Sequence, residues 1–376
     1  MKMYTILISC IVATIFSLVY SIYTTPLPQL NEKHFYVALE HITETMIHDI
    51  FSPPHASRTY AYPLIAAHEI LSLKDSETQS LAEKIKTLTQ IPTPQKNIQY
   101  EFAAIHTMLE MAKYLVFSEK MLHKTQHKLY QQWFGQNYQW NKDYQRSVHY
   151  AKSVKHHMIA WANQDNYNET RTFPSFNIDL TNEKRWRPTP PAYMEGIEPS
   201  WNKIRPFIMT SADQFKPPPP YDYDMSKNSP FFNEVTEVYQ IHSNLDQTKR
   251  DIANFWDCNP YTTHLQGHVK VASKKMTPGG HWIGITGILT KQYKLPLEQV
   301  IALHTYVSIA LADGFISAWD EKYRSNLIRP ENVIKKYFNS TWKPLLETPP
   351  FPEYTSAHSV ISMSAAVVLT TMLGDN

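Results

Sequence analysis

Residues 297–323 read LEQVIALHTYVSIALADGFISAWDEKY, and the fold follows from the spacing within them. Val300, His304, Val307, Leu311, Phe315 and Ala318 recur three or four residues apart, which places them on one face of an α-helix. Pro296 and Glu298 suit its first turn. That face is a core stripe. Extended by one more step, the spacing lands on Lys322, so an ammonium group arrives beside the buried face instead of the solvent side. Arg329-Pro330 follows; proline suits a helix start and not its interior, which fixes Arg329 at a bend.

Downstream, Pro352-Glu353-Tyr354-Thr355-Ser356-Ala357-His358-Ser359 leads into an almost wholly apolar run from Val360 to Leu373 that reads as a second helix. Ser356 stands where an N-cap belongs. A helix start presents free backbone N–H groups and the positive end of the macrodipole, so Ser356 and the N–H of Ala357 form a seat for an oxyanion. His358 sits at its edge. Lys322, Arg329, this capped start and His358 together supply what is needed to hold a tetrahedral or trigonal-bipyramidal oxyanion and to move a proton to it.

Upstream, about Glu32 to Trp161 reads as helices with short breaks, as in the near-3.6 periodicity of Ile65, His68, Glu69 and Leu73, and strand-like alternation is scarce. Composition shifts between Phe173 and Asn228, where Arg187-Pro188-Thr189-Pro190-Pro191 and Pro217 to Pro220 interleave with Trp186, Trp201 and Phe207. Such a stretch is extended and held by its aromatics. Helical patterning resumes from Phe231 to Trp256. Thr277-Pro278-Gly279-Gly280-His281-Trp282 reads as a positioning or structural loop. The expectation is an all-α chain: a leader over 1–24, a helical bundle over 25–172, an irregular connection over 173–230 and an oxyanion-site bundle over 231–376.

Lys and Arg number 36 against 34 Asp and Glu, a balance that excludes a protein coating nucleic acid by charge alone. Only 9 glycines occur, and no phosphate-binding glycine loop is present. The apolar run Tyr4–Tyr23 after Lys2 reads as a secretory signal, with an uncleaved membrane anchor as the second reading; either implies export to, or an anchor facing, the periplasm. With the leader removed, Cys258 is the remaining cysteine and a buried thiol. His264 and His268 share a metal-ligand spacing only if helical, and Gly267 between them argues against a metal site.

Lys322 to Pro330 and Ser356-Ala357-His358 resemble the first two of three signature strings of the vanadium-dependent haloperoxidases, which share a site with type 2 phosphatidic acid phosphatases and bacterial acid phosphatases. Ser317-Ala318-Trp319-Asp320, Pro349-Pro350-Phe351-Pro352 and Pro278-Gly279-Gly280-His281-Trp282 are similar to the bacterial haloperoxidase branch, and the likeness covers most of residues 45–376. The resemblance implies helical bundles and a vanadate cofactor, with phosphate able to take the same seat. Lys322 and Arg329 would bind the oxyanion, Ser356 and Ala357 N–H would donate to it, and His358 would be the acid–base. It implies halide oxidation by hydrogen peroxide; phosphate-ester hydrolysis and an inactive binding protein with a relic pocket are the alternatives. Two departures stand out. The family usually has Gly where Ala357 stands, and the third string, S-R with a His six residues on, which in the family supplies the histidine that bonds vanadium, is not found after His358. Ser57-Arg58 is no substitute, so the expectation is that 1–376 lacks an essential histidine, has no turnover by itself and belongs to a longer protein.

Overall fold

The computed structural model describes residues 2–74, 77–260, 263–266, 269–272 and 274–374. Its helices are α1 (Lys2–Thr24), α2 (Glu32–His48), α3 (Pro53–Ser72), α4 (Tyr100–Leu115), α5 (Glu119–Phe134), α6 (Lys142–Ala162), α7 (Tyr167–Thr170), α8 (Pro230–Ser243), α9 (Gln247–Phe255), α10 (Pro278–Gln292), α11 (Leu297–Ser325), α12 (Pro330–Tyr337) and α13 (Ala357–Leu373). A short antiparallel hairpin, Thr263–Gln266 with Val269–Ala272, lies between α9 and α10. His264 is therefore on a strand and does not have the helical spacing a metal pair with His268 requires; His268 lies outside the described residues.

Two compact units emerge, and neither is a single stretch of sequence. The first comprises Met1–Thr45, Thr59–Ala162 and Gly287–Thr305; the second comprises Met46–Arg58, Asn163–Thr286 and Tyr306–Asn376. The divisions expected at 172/173 and 230/231 mark changes of composition, whereas packing joins the irregular connection to the helices that follow it.

In the first unit α4 lies along α6, and Phe35, Ile42, Ile65, Phe102, Met108 and Met158 are buried. His304, on the α11 stripe, is a core residue: its Nδ1 meets the Val300 carbonyl oxygen at 2.7 Å and its ring lies 5.1 Å from that of Phe35. Burial lowers its pKa to about 4, so it is neutral.

In the second unit the 173–228 connection is irregular, as its prolines dictate, and it is pinned by rings and by backbone bonds. Trp186, Trp201 and Phe207 are buried. The Trp186 N–H donates to the Asn326 carbonyl at 3.0 Å and the Ile328 N–H to the Lys184 carbonyl at 2.9 Å. The N–H groups of Phe207, Ile208 and Met209 all donate to the Asp313 carboxylate, at 2.7, 2.8 and 3.0 Å. Asp313 belongs to α11, so a loop without regular structure is tied to the best helix; leaving such buried donors unpaired costs about 1–3 kcal/mol each. Gly314 lets α13 come close to α11, since a Cβ there would stand 3.4 Å from Ser364 Oγ and 3.5 Å from Ile361 Cγ2.

Candidate active site

The helical stripe arrives as its spacing dictates: Val307, Leu311, Phe315 and Ala318 are buried, and Lys322, one turn on, is only 2% exposed. Its ammonium donates to the carbonyl oxygens of Pro352 (3.1 Å) and Glu353 (3.0 Å) and lies 4.9 Å from the centre of the Phe351 ring. Arg329 is the residue before α12, extended at φ −77° and ψ 142° because Pro330 opens that helix. Its Nε donates to the Phe351 carbonyl at 2.7 Å, its Nη1 to Glu353 Oε2 at 2.6 Å, and its guanidinium stacks 4.8 Å from the same ring. Both cations thus pack against the ring of Phe351.

Ser356 caps α13: its Oγ accepts from the Ser359 N–H at 3.2 Å and from the Ser359 hydroxyl at 2.9 Å. With both bonds accepted, the Ser356 hydroxyl proton is left to donate. The first intrahelical bond is made by the Val360 N–H to the Ser356 carbonyl, so the Ala357 and His358 N–H groups precede the ladder. Ala357 does not have a positive φ, and the Gly-to-Ala departure leaves an ordinary helix start.

Lys322, Arg329, Ser356, Ala357 and His358 line one cavity of about 400 Å³ in the second unit, walled by Phe315, Trp319, Trp256 and Trp342. Burial, with the Arg329 charge adding to it, lowers the Lys322 ammonium to about 7, while Glu353 opposes the shift. The Glu353 carboxyl is raised by burial, but Arg329 and Lys322 outweigh that and hold it below its usual range. Desolvation lowers the His358 imidazole, with Lys322 and His281 adding to the effect against the Trp256 backbone and Asp257. Arg329 Nη2 is buried with no protein partner among the described residues. A buried guanidinium donor aimed at nothing, beside a free hydroxyl proton and a helix start, fits a tetrahedral oxyanion.

The spacing of the sequence did not disclose two neighbours of this site. Glu353 is three residues before Ser356, but a carboxylate gives no hint of lying between cations that would hold an anion. Pro278-Gly279-Gly280-His281 is not a loop: it forms the first turn of α10, where Pro and Gly are tolerated. His281 Nδ1 there meets the Cys258 thiol at 3.1 Å, and burial together with Asp257 raises that thiol to about 11. His358 is the single histidine among the residues lining the cavity. Arg58 is engaged elsewhere, its Nε donating to Asp165 at 2.7 Å.

A family model described as the VCPO second helical-bundle domain matches residues 302–376. The solved structure of a bacterial vanadium-dependent iodoperoxidase is 46% identical and superposes with a TM-score of 0.88, covering 94% of this chain and 83% of that one. Two structures of bacterial vanadium-dependent chloroperoxidase, apo and holo, share the fold at 13% and 14% identity, with TM-scores of 0.59 and 0.61. They cover 85% and 92% of this chain and 77% and 82% of their own. No curated protein matches the sequence.

Proposed function

The chain belongs to the vanadium haloperoxidase superfamily, and from that premise we propose that it binds vanadate in the Lys322–Arg329–Ser356 cavity and oxidises a halide with hydrogen peroxide. Iodide is the first halide to test, because the 46%-identical relative is an iodoperoxidase. The observation that carries the reading is the unpaired, buried Nη2 of Arg329 in the same cavity as four further donors.

Vanadate would supply the metal-centred activation of peroxide toward halide; the chain's own groups do the rest. Arg329 and Lys322 neutralise the oxyanion, Arg329 through the fixed fork of its guanidinium and Lys322 as a point charge. Ser356 and the Ala357 N–H donate to its oxygens. A His358 ring nitrogen, whose burial disfavours the imidazolium, would accept a proton from hydrogen peroxide and hold it for return. The aromatic walls lower the local polarity around Lys322 and Arg329, which strengthens their interactions with a bound anion.

The experiment is calorimetry of vanadate binding followed by iodide oxidation. Vanadate added to the protein switches on peroxide-dependent iodide oxidation, and inorganic phosphate suppresses it. Arg329→Ala weakens vanadate binding by about 2–4 kcal/mol, the scale for a charge-assisted donor in a desolvated site. Vanadate that only inhibits hydrolysis of a phosphate ester, with no halide oxidation at any peroxide level, would reassign the cavity to phosphoryl transfer. Unchanged binding in Arg329→Ala would remove the site.

A further inference from the structure

We propose that α1 anchors the protein in a membrane and that the basic cavity at its C-terminal end receives the phosphate headgroup of an anionic phospholipid. The helix segment Tyr4–Thr24 reaches a mean hydropathy of 2.2 in its 18-residue apolar window, where none of the described residues is buried. At 1.5 Å per residue it spans about 30 Å, the thickness of a bilayer's hydrocarbon core. Its large side chains are strongly exposed, Phe16 at 71% and Tyr20 at 61%. Each costs about 1.5–3 kcal/mol to leave in water, so this helix has a strong demand for an apolar surrounding.

The far end of α1 is tied down. The Asn141 amide donates to the Ile22 carbonyl (3.1 Å) and the Thr25 carbonyl (2.6 Å), while Asn141 Oδ1 accepts from the Asp143 and Tyr144 N–H groups at the start of α6. Around that joint Tyr20, Tyr23 and Trp140 line a shallow pocket with Phe16 and Val19. Tyr and Trp are the residues a membrane–water boundary favours. Sharing Tyr23 and Gln145 with that pocket is a cavity of about 560 Å³ that contains Lys96, Lys142, Arg146 and His149. None of its lining residues is acidic, and Asp143 approaches Arg146 only at 4.0 Å. An apolar helix, a band of rings and a cationic pocket therefore adjoin in that order, matching tail, interface and charged headgroup. Near a membrane surface each Lys or Arg strengthens the attraction about fivefold, so three give about 100-fold.

This inference rests on α1 being retained and is independent of the chemistry at the oxyanion cavity. The full chain is incorporated into phosphatidylcholine nanodiscs carrying a small fraction of brominated phosphatidylglycerol or, in parallel, brominated phosphatidylcholine. Quenching of Trp140 is read as the difference between the wild type and Trp140→Phe. We expect half-maximal quenching at an at least tenfold lower fraction of the phosphatidylglycerol. The triple variant Lys96→Gln, Lys142→Gln, Arg146→Gln should still incorporate, keep its circular dichroism and lose that preference. Equal quenching by both lipids or a preference that survives the triple variant would each overturn the headgroup site. Failure of the chain to incorporate would overturn the anchor and the site with it.

Discussion

A buried lysine works against folding unless something compensates its charge, and Lys322 has only two carbonyls, a ring face and a distant share of Glu353. Its pKa of about 7 lies below the unfolded value of 10.5. Below pH 7 both states carry the proton and the burial penalty is present in full. Between the two values the unfolded chain binds more protons than the folded one, so this group's contribution to stability rises with pH. An oxyanion in the cavity reverses the local balance by favouring the ammonium. Binding of sulfate, whose own charge is constant from about pH 6 to about pH 9, should therefore take up close to one proton per site above pH 7. Its affinity should fall by up to about tenfold per pH unit there. Calorimetry in buffers of different ionisation enthalpy measures the uptake, and Lys322→Met should abolish it. The same uptake in that variant would show that another group titrates.

At the scale of elements, Ser356 serves both α13 and the cavity, and two substitutions separate the roles. An N-cap Ser replaced by Ala costs about 1 kcal/mol of stability, but by Gly only a few tenths. Both variants lose the hydroxyl proton that points away from Ser359. We expect Ser356→Ala and Ser356→Gly to weaken vanadate binding equally while differing in the denaturant midpoint; equal stability with unequal binding would mean that the cap geometry, and not the hydroxyl, holds the ligand. The two helices around this chemistry were legible in the sequence. A stripe of apolar residues ending on Lys322 and a Ser before an apolar run are local patterns, and α11 and α13 obey them. The first turn of α10 was not legible, because Pro-Gly-Gly at a helix start carries the same letters as a turn. Glu353 and the Cys258–His281 contact were hidden for a different reason: both depend on partners 23 to 31 residues away along the chain, brought close only by packing.

At the scale of the molecule, composition suggested consecutive segments, whereas α3, α10 and α11 each run through both compact units. Long helices do not respect boundaries drawn from proline content, since one helix can present different faces to different cores along its length. The consequence is testable, because every residue lining the oxyanion cavity belongs to the second unit. A ligand at 100 times its dissociation constant stabilises the state that binds it by about 2.7 kcal/mol. Amide hydrogen exchange with saturating vanadate should therefore slow most at the elements that converge on the cavity: the last turn of α11, Arg329 and the start of α12, and residues 351–360. The α4–α6 amides of the first unit should change by less than about twofold, because their opening is governed by contacts that the ligand does not touch. Equal slowing in both units would mean that they open as one cooperative body, and slowing confined to α4–α6 would put the bound oxyanion outside the Lys322–Arg329–Ser356 cavity.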